Sequence, residues 1–175
     1  LLVEHPKKLW PIFGKGVAQP LHLAYLAAVL ERNGVEVDIL DCTVHGFGWK
    51  EYERVLRQTS PDIVGVSGIT PFISSAIKTV KIAKKVNPNV VTVVGGTHFT
   101  LNARKSLLDY PEIDYVVIGE GEITLLELVK ALENNTDPSR VKGIAFRDQK
   151  QIKITRERPL IEDLDMLPMP AYHKL

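Results

Sequence analysis

Val93–Ala103 reads VVGGTHFTLNA, with Val91 and Thr92 immediately before it. Residues that suit a pleated, half-buried surface run into Gly95 and Gly96, then into Thr97, His98 and Thr100, and then into a stretch with helical spacing. A strand that hands over to a helix through bare backbone, hydroxyls and an imidazole has the composition of a strand tip built for contact. Its neighbours decide whether it is one tip of a larger sheet.

On the N-terminal side, DIVGVSG from Asp62 is a near-continuous apolar run, as expected of a parallel strand covered on both faces. Pro71 suits a helix start, and FISSAIKTVKIAKKV (72–86) follows as a helix whose Lys78, Lys81, Lys84 and Lys85 read as a solvated face. On the C-terminal side come TLNARKSLLDY (100–110) as a helix, DYVVIGEG (114–121) as a strand and EITLLELVKALENN (122–135) as a helix. The chain opens on a short apolar strand, Leu1–Val3, and an irregular loop from His5 to Gln19, long enough to suggest a functional segment. The helix PLHLAYLAAVLERNG (20–34) stops at Asn33-Gly34. The strand VEVDIL (35–40) and a helix over Trp49–Gln58 complete the series.

Strand and helix therefore alternate five times. This rhythm predicts an α/β, doubly wound, five-stranded parallel sheet of flavodoxin-like (Rossmann-like) type, with strand order 2-1-3-4-5. VKGIAFRDQKQIKI (141–154) reads as a β-hairpin around Asp148–Lys150, appended after the sheet. The expected division is an α/β domain over 1–138 and a hairpin and linker over 139–175.

Charge narrows the partners. Lys+Arg 22 against Asp+Glu 21 gives a formal net charge of +1, and no basic run is long enough to track a phosphate backbone, so nucleic acid is not expected. The single cysteine, Cys42, excludes a disulfide framework and any all-cysteine metal or iron–sulfur cage in this chain; with no flanking basic residue it reads as a buried thiol. No apolar stretch approaches the ~18–20 residues of a membrane span and no signal peptide precedes the first strand, which makes a cytoplasmic address the expectation. The chain starts without Met inside an apolar run and closes on the Pro-punctuated MLPMPAYHKL, so it reads as part of a longer polypeptide.

In a doubly wound sheet, ligands sit outside the carboxyl ends of the strands. Here the third strand ends in Ser67-Gly68-Ile69-Thr70, the fourth in Gly95-Gly96-Thr97-His98 and the fifth in Gly119-Glu120-Gly121-Glu122. A tight turn accounts for one glycine; paired or spaced glycines at three tips also let a flat or bulky ligand approach backbone amides, with hydroxyls as orienting groups. Neither G-x-G-x-x-G after the first strand nor G-x-x-x-x-G-K-[ST] is present, so dinucleotides and Walker-type nucleotides lack support. Glu122 opens a helix, where the macrodipole favours an acid, whereas Glu120 between glycines is the better binding candidate. His98 is placed for ligand contact; His5 reads as surface or capping, and His22, His45 and His173 as structural or exposed.

With those tips read, the chain resembles the cobalamin-binding domain at the N-terminus of B12-dependent radical SAM proteins, the group of Mg-protoporphyrin monomethyl ester cyclases and radical SAM methyltransferases. The resemblance lies in QPLHLAYLAAVLERNGVEVDILD, DIVGVSGIT, VVGGTHFT, YVVIGEGEITLLELVKAL and RPLIEDLDMLPMPAYHKL, in order. It implies that Ser67, Gly68 and Thr70 meet the nucleotide side of cobalamin, that Gly95, Gly96 and Thr97 lie along the tail and corrin rim, and that Gly119, Glu120 and Gly121 close the far side. The D-x-H-x-x-G motif that supplies a lower cobalt ligand in many such domains is replaced here by Glu4-His5-Pro6-Lys7-Lys8, so no protein metal ligand is expected.

The resemblance also implies a downstream radical SAM domain of the same polypeptide, holding a [4Fe-4S] cluster on C-x-x-x-C-x-x-C and S-adenosylmethionine, with a small-molecule substrate at the domain interface. The fragment itself would not be catalytic; the parent would perform radical methyl transfer or anaerobic oxidative cyclisation. Two alternatives stand beside this: a cofactor-free docking or substrate-positioning domain of the same fold, and a flavin- or nucleotide-binding flavodoxin-like protein. The latter wants a Ser/Thr-rich turn after strand one, and EHPKKLWPIFGKG has none.

Overall fold

Alternation along the central strands sorts side chains onto two faces. Leu2, Val93 and Val117 pack with Leu23, Ala27 and Leu30 of one helix and Leu125, Leu128 and Val129 of another. Val66, Val94 and Val116 pack on the opposite face with Ala76, Ile77, Val80, Phe99 and Leu107, and Val3, Val64 and Leu40 pack with Tyr52 and Leu56. Both faces of the sheet are thus covered, which explains why its strands read as continuous apolar runs.

The computed structural model describes residues 1–6, 18–149 and 151–175. Its strands are β1 (Leu2–Glu4), β2 (Ile39–Asp41), β3 (Ile63–Ser67), β4 (Val91–Gly95), β5 (Tyr115–Val117), β6 (Ile144–Asp148) and β7 (Gln151–Ile154). The helices are α1 (Leu21–Arg32), α2 (Trp49–Thr59), α3 (Ile73–Val86), α4 (Thr97–Leu101), α5 (Ala103–Asp109) and α6 (Glu122–Glu133). The first five strands are parallel in the order β2-β1-β3-β4-β5, as the alternation predicts.

The sheet does not end there. The hairpin is not an appendage: β6 pairs antiparallel with β5 and β7 with β6, giving one mixed, seven-stranded sheet rather than a five-stranded parallel one. The physical reason is the free edge of β5, whose N–H and C=O groups need partners. Tyr115, Val116 and Val117 find them opposite Phe146, Ala145 and Ile144, and Ile144 and Ala145 become fully buried. The outer strand β7 is exposed except at Ile152 and carries Lys153.

Smaller departures have local causes. The expected helix over 100–110 starts earlier, at Thr97, and breaks at Asn102, whose backbone N–H and side-chain Nδ2 both donate to the His98 carbonyl, at 3.1 and 3.0 Å, capping α4 before α5 begins. The expected strand over 35–40 narrows to Ile39–Asp41, matching the three residues that β1 offers it. Of the α3 lysines, Lys78, Lys81 and Lys85 are exposed, as a solvated face requires, with Lys78 4.5 Å over the Trp49 ring; Lys84 is the exception, part-buried with its Nζ 2.6 Å from Asp114 Oδ2 and 2.6 Å from the Val90 carbonyl. Most of the His5–Gln19 loop reading, over 7–17, lies outside the described residues.

Residues 155–175 fold back across α6 and α1 as a strap. Arg158 Nε donates to Thr124 Oγ1 at 2.8 Å and its Nη2 to Glu127; Arg32 Nη1 reaches the Met166 carbonyl at 3.0 Å, and Ala171 N–H bonds the Ala24 carbonyl at 3.0 Å. Lys174 closes the strap on Glu31 and Asp38.

Candidate ligand site at the strand tips

The tips of β3, β4 and β5 are joined by hydrogen bonds that extend beyond the sheet. Gly68 N–H donates to the Gly95 carbonyl at 2.9 Å, His98 N–H to the Gly68 carbonyl at 3.2 Å, and Gly119 N–H to Thr100 Oγ1 at 3.1 Å. Thr70 Oγ1 and His98 Nδ1 share a hydrogen bond of 3.1 Å.

Two glycines are required for this close approach. Gly96 sits at φ +90°, and a Cβ there would fall 2.6 Å from Ser67 Oγ and 2.9 Å from the Gly68 carbonyl oxygen. A Cβ on Gly68 would fall 2.5 Å from the Phe99 ring. Gly119 differs: its φ is +76°, but a Cβ would meet nothing within 4 Å, so its bare backbone faces open space.

Beneath the tips lies a slot of about 230 Å³ between α1, α6 and the sheet. Its origin is a pair of missing side chains. Gly65 stands in register with Leu2 and Val93, and one pleat nearer the tip Ser67 stands in register with Gly95, so two successive inward positions under α1 and α6 carry little or no side chain. Leu2, Leu23, Leu26, Val93, Val117 and Leu125 supply its apolar walls; His22, Ser67, Glu120 and Glu122 are its polar side chains.

Of the residues singled out from sequence, Ser67, Gly95, Gly96, Gly119, Glu120 and Gly121 line this slot. Gly68, Thr70, Thr97 and His98 lie at the same tips outside its lining, Thr70 and Thr97 exposed. Glu120 is partly committed elsewhere: its Oε2 accepts the Ile161 N–H of the strap at 2.7 Å. Glu122 is the first residue of α6, as its helix-opening reading requires.

Sequence reasoning passed over Gly65, Leu2, Leu26 and His22. The signal for Gly65 was available, since a glycine in the middle of an apolar strand marks close approach by something else. Nothing local marked His22, which lines the slot from the first turn of α1 and stands 3.7 Å from Glu4 Oε2. His5, expected at the surface or in a cap, is instead buried, its ring 6.2 Å from that of Phe72.

Cys42 is the buried thiol its setting suggested. Burial, and then the nearby Asp41 and Glu4 carboxylates, push it up to about 12, so it stays protonated and is a poor nucleophile or metal ligand. Among the described residues no group of three or more His, Cys, Asp or Glu is arranged to hold a metal ion. No helix among them is long and apolar enough to cross a membrane.

Fold and tips together define a doubly wound domain whose candidate ligand site is the slot at the carboxyl ends of β3, β4 and β5. The chain belongs to the B12-binding domain family, whose model matches residues 14–129. It is 35% identical over 156 residues to an uncharacterized methyltransferase of Pyrococcus horikoshii, covering 89% of this chain and 34% of that protein. It is 39% identical over 152 residues to the anaerobic magnesium-protoporphyrin IX monomethyl ester cyclase of Cereibacter sphaeroides, covering 85% of this chain and 25% of that one.

Among solved structures, the radical S-adenosylmethionine methyltransferase TsrM of Kitasatospora setae superposes with a TM-score of 0.74 at 26% identity, over 89% of this chain and 29% of that one. The cobalamin-dependent S-adenosylmethionine radical enzyme OxsB, with aqua-cobalamin bound, gives a TM-score of 0.80 at 20% identity over 97% of this chain and 23% of that one, a likeness of fold. The chain thus spans about a quarter to a third of the length of these relatives.

Proposed function

We propose that this chain is the cobalamin-holding module of a B12-dependent radical SAM protein, with the nucleotide tail of the cofactor in the slot and the corrin lying over the tips. The observation that carries this reading is the slot itself, together with membership of the B12-binding domain family. At about 230 Å³ the slot falls below the ~300–1,000 Å³ typical of pockets that enclose a whole ligand, so it suits an appendage rather than a macrocycle. Its walls are apolar and its mouth carries hydroxyl, imidazole and carboxylate groups, which suits a flat base that ends in a polar sugar-phosphate.

The residues fit the group. Ser67, Gly95 and Gly121 border the path of the tail, and Gly119, at the open end of β5, leaves space in which a broad, amide-rimmed ring can approach backbone. Gly68 and Gly96 hold the tips close enough to form one platform, and Thr70, Thr97 and His98 offer donors and acceptors at its rim. Glu120 orients the β5 tip against the strap. When bound, cobalamin supplies cobalt-centred methyl or electron transfer; this chain's part is to bind and orient it, and no side chain here is assigned to cobalt.

In this reading residues 1–138 form the cofactor domain and 139–175 the hairpin and linker towards a downstream radical SAM domain, which would hold the [4Fe-4S] cluster and S-adenosylmethionine, with a small-molecule substrate between the two. Methyl transfer and anaerobic ring closure are the two reaction classes named among the relatives, and the parent protein would perform one of them. The direct test is an absorbance titration of the chain with hydroxocobalamin followed by desalting. Retained corrin absorbance is expected; loss of all corrin from folded protein would overturn the reading.

A further inference from the structure

Cobamides share one macrocycle and differ in the base that ends the nucleotide tail. Benzimidazole-type bases present a carbon edge, while adenine presents ring nitrogens and an exocyclic amine. A slot that buries this base therefore reads its edge chemistry, provided the groups at its inner end are all of one kind.

They are. Leu2, Gly65 and Leu125 line the slot and also a second cavity of about 490 Å³ at the amino end of the same face, so these three form the partition between the two. Each is buried. Leu23, Leu26, Val93 and Val117 continue the wall in carbon. The polar side chains of the lining come from the tips and helix starts: Ser67 at the end of β3, His22 in the first turn of α1, Glu120 after β5 and Glu122 at the start of α6. The backbone of β1, β3 and β4 at this depth is engaged in the sheet, with Leu2 in register with Gly65 and Gly65 with Val93.

We infer that the Leu2–Gly65–Leu125 floor makes this chain selective for cobamides with a benzimidazole-type lower base over those with a purine base. The inference rests on the reading that the slot takes the nucleotide tail. A carbon floor leaves the amine and ring nitrogens of adenine without partners, and an unsatisfied buried donor loses its water for nothing in return. Selection of this kind is modest, because an apolar pocket rejects an added polar group only by tens- to about a hundred-fold. Gly65 also limits the depth: a Cβ there would fall 2.8 Å from Leu2 Cδ2 and place a methyl group at the floor.

The test is equilibrium binding, read by corrin absorbance, of the chain to cobalamin, to its adeninyl counterpart and to cobinamide, which lacks the nucleotide. Cobalamin is expected to bind at least about 10-fold more tightly than the adeninyl cobamide. Gly65→Ala is expected to weaken cobalamin about 10-fold while leaving cobinamide unchanged, so the cobinamide value reports that the variant is folded. Equal affinity for the two cobamides, with cobinamide much weaker, would overturn the selectivity and leave the tail in the slot. Cobinamide binding as tightly as cobalamin would remove the tail from the slot and the inference with it. Retention of no corrin at all would sink the cobalamin reading itself, a separate result visible in the cobalamin arm alone.

Discussion

Thr70 Oγ1 and His98 Nδ1 lie 3.1 Å apart, linking the tip of β3 to the tip of β4 across 28 positions of sequence. Thr70 lies in the turn after β3 and His98 in the first turn of α4, and His98 N–H also holds the Gly68 carbonyl. His98 therefore holds the β3 tip twice, through its backbone N–H to Gly68 and through its imidazole to Thr70. Thr70→Ala is expected to weaken cobalamin binding by about 1 kcal/mol, the worth of one hydrogen bond, with little change in unfolding free energy because the pair is exposed. Titration of wild type and variant, with urea unfolding of each, checks both halves.

Gly96 and Gly119 both adopt positive φ, yet substitutions there should behave differently. Gly96→Ala drives a methyl into Ser67 and the Gly68 carbonyl and is expected to cost about 1–3 kcal/mol beyond the price of the conformation. Gly119→Ala meets open space and should cost only the left-handed backbone penalty, about 1–2 kcal/mol. Urea midpoints of the two variants in one buffer order them; the reverse order would refute the packing role given to Gly96.

Cys42 makes stability depend on alkaline pH. Its folded pKa is raised from the ordinary 9.0 to about 12, so between those values the unfolded chain loses the thiol proton while the folded chain keeps it. The stabilisation is complete below about 9 and is lost as pH rises towards 12. Unfolding free energy should fall more steeply between pH 9 and 11 in wild type than in Cys42→Ala. The same burial predicts that a thiol reagent at pH 8 labels the native chain far more slowly than the unfolded one.

Lys84 joins three elements: its ammonium reaches Asp114 at 2.6 Å and the Val90 carbonyl at 2.6 Å, while Asp114 also accepts the Thr92 N–H at 2.8 Å. Lys84→Met keeps most of the aliphatic stem and removes the charge. It is expected to cost about 1–2 kcal/mol, above the usual worth of a surface ion pair, because Asp114 is left partly buried with its cation gone. A change within 0.3 kcal/mol, on the scale of an ordinary surface substitution, would return Lys84 to the solvated face its sequence suggests.

Glu120 ties the β5 tip to the strap through the Ile161 N–H. Glu120→Ala should speed amide hydrogen exchange over 158–163, and Glu120→Gln, which keeps an acceptor oxygen, should restore most of the protection. Unchanged exchange in the alanine variant would separate strap from tip.

Much of this protein is legible in its sequence because the information is local and periodic. The near-continuous apolar run at 62–68 announces a strand covered on both faces, Pro20 and Asn33-Gly34 bracket α1, and the glycine-rich tips mark where a ligand would approach. Parallel strand order follows from the same alternation, since right-handed crossovers leave few alternatives.

What tertiary structure decided depends on groups distant in sequence. The hairpin became part of the sheet because the free edge of β5 needed hydrogen-bond partners, which β6 supplies nearly thirty residues later. Gly96 and Gly68 are small because Ser67 and Phe99 press against them, a fact no local window contains. The slot exists because Gly65 and Gly95, thirty residues apart, fall on successive inward positions of adjacent strands under the same two helices. Sequence fixes which face each residue takes; register across strands decides which absences line up, and an aligned absence of side chains is what makes a pocket.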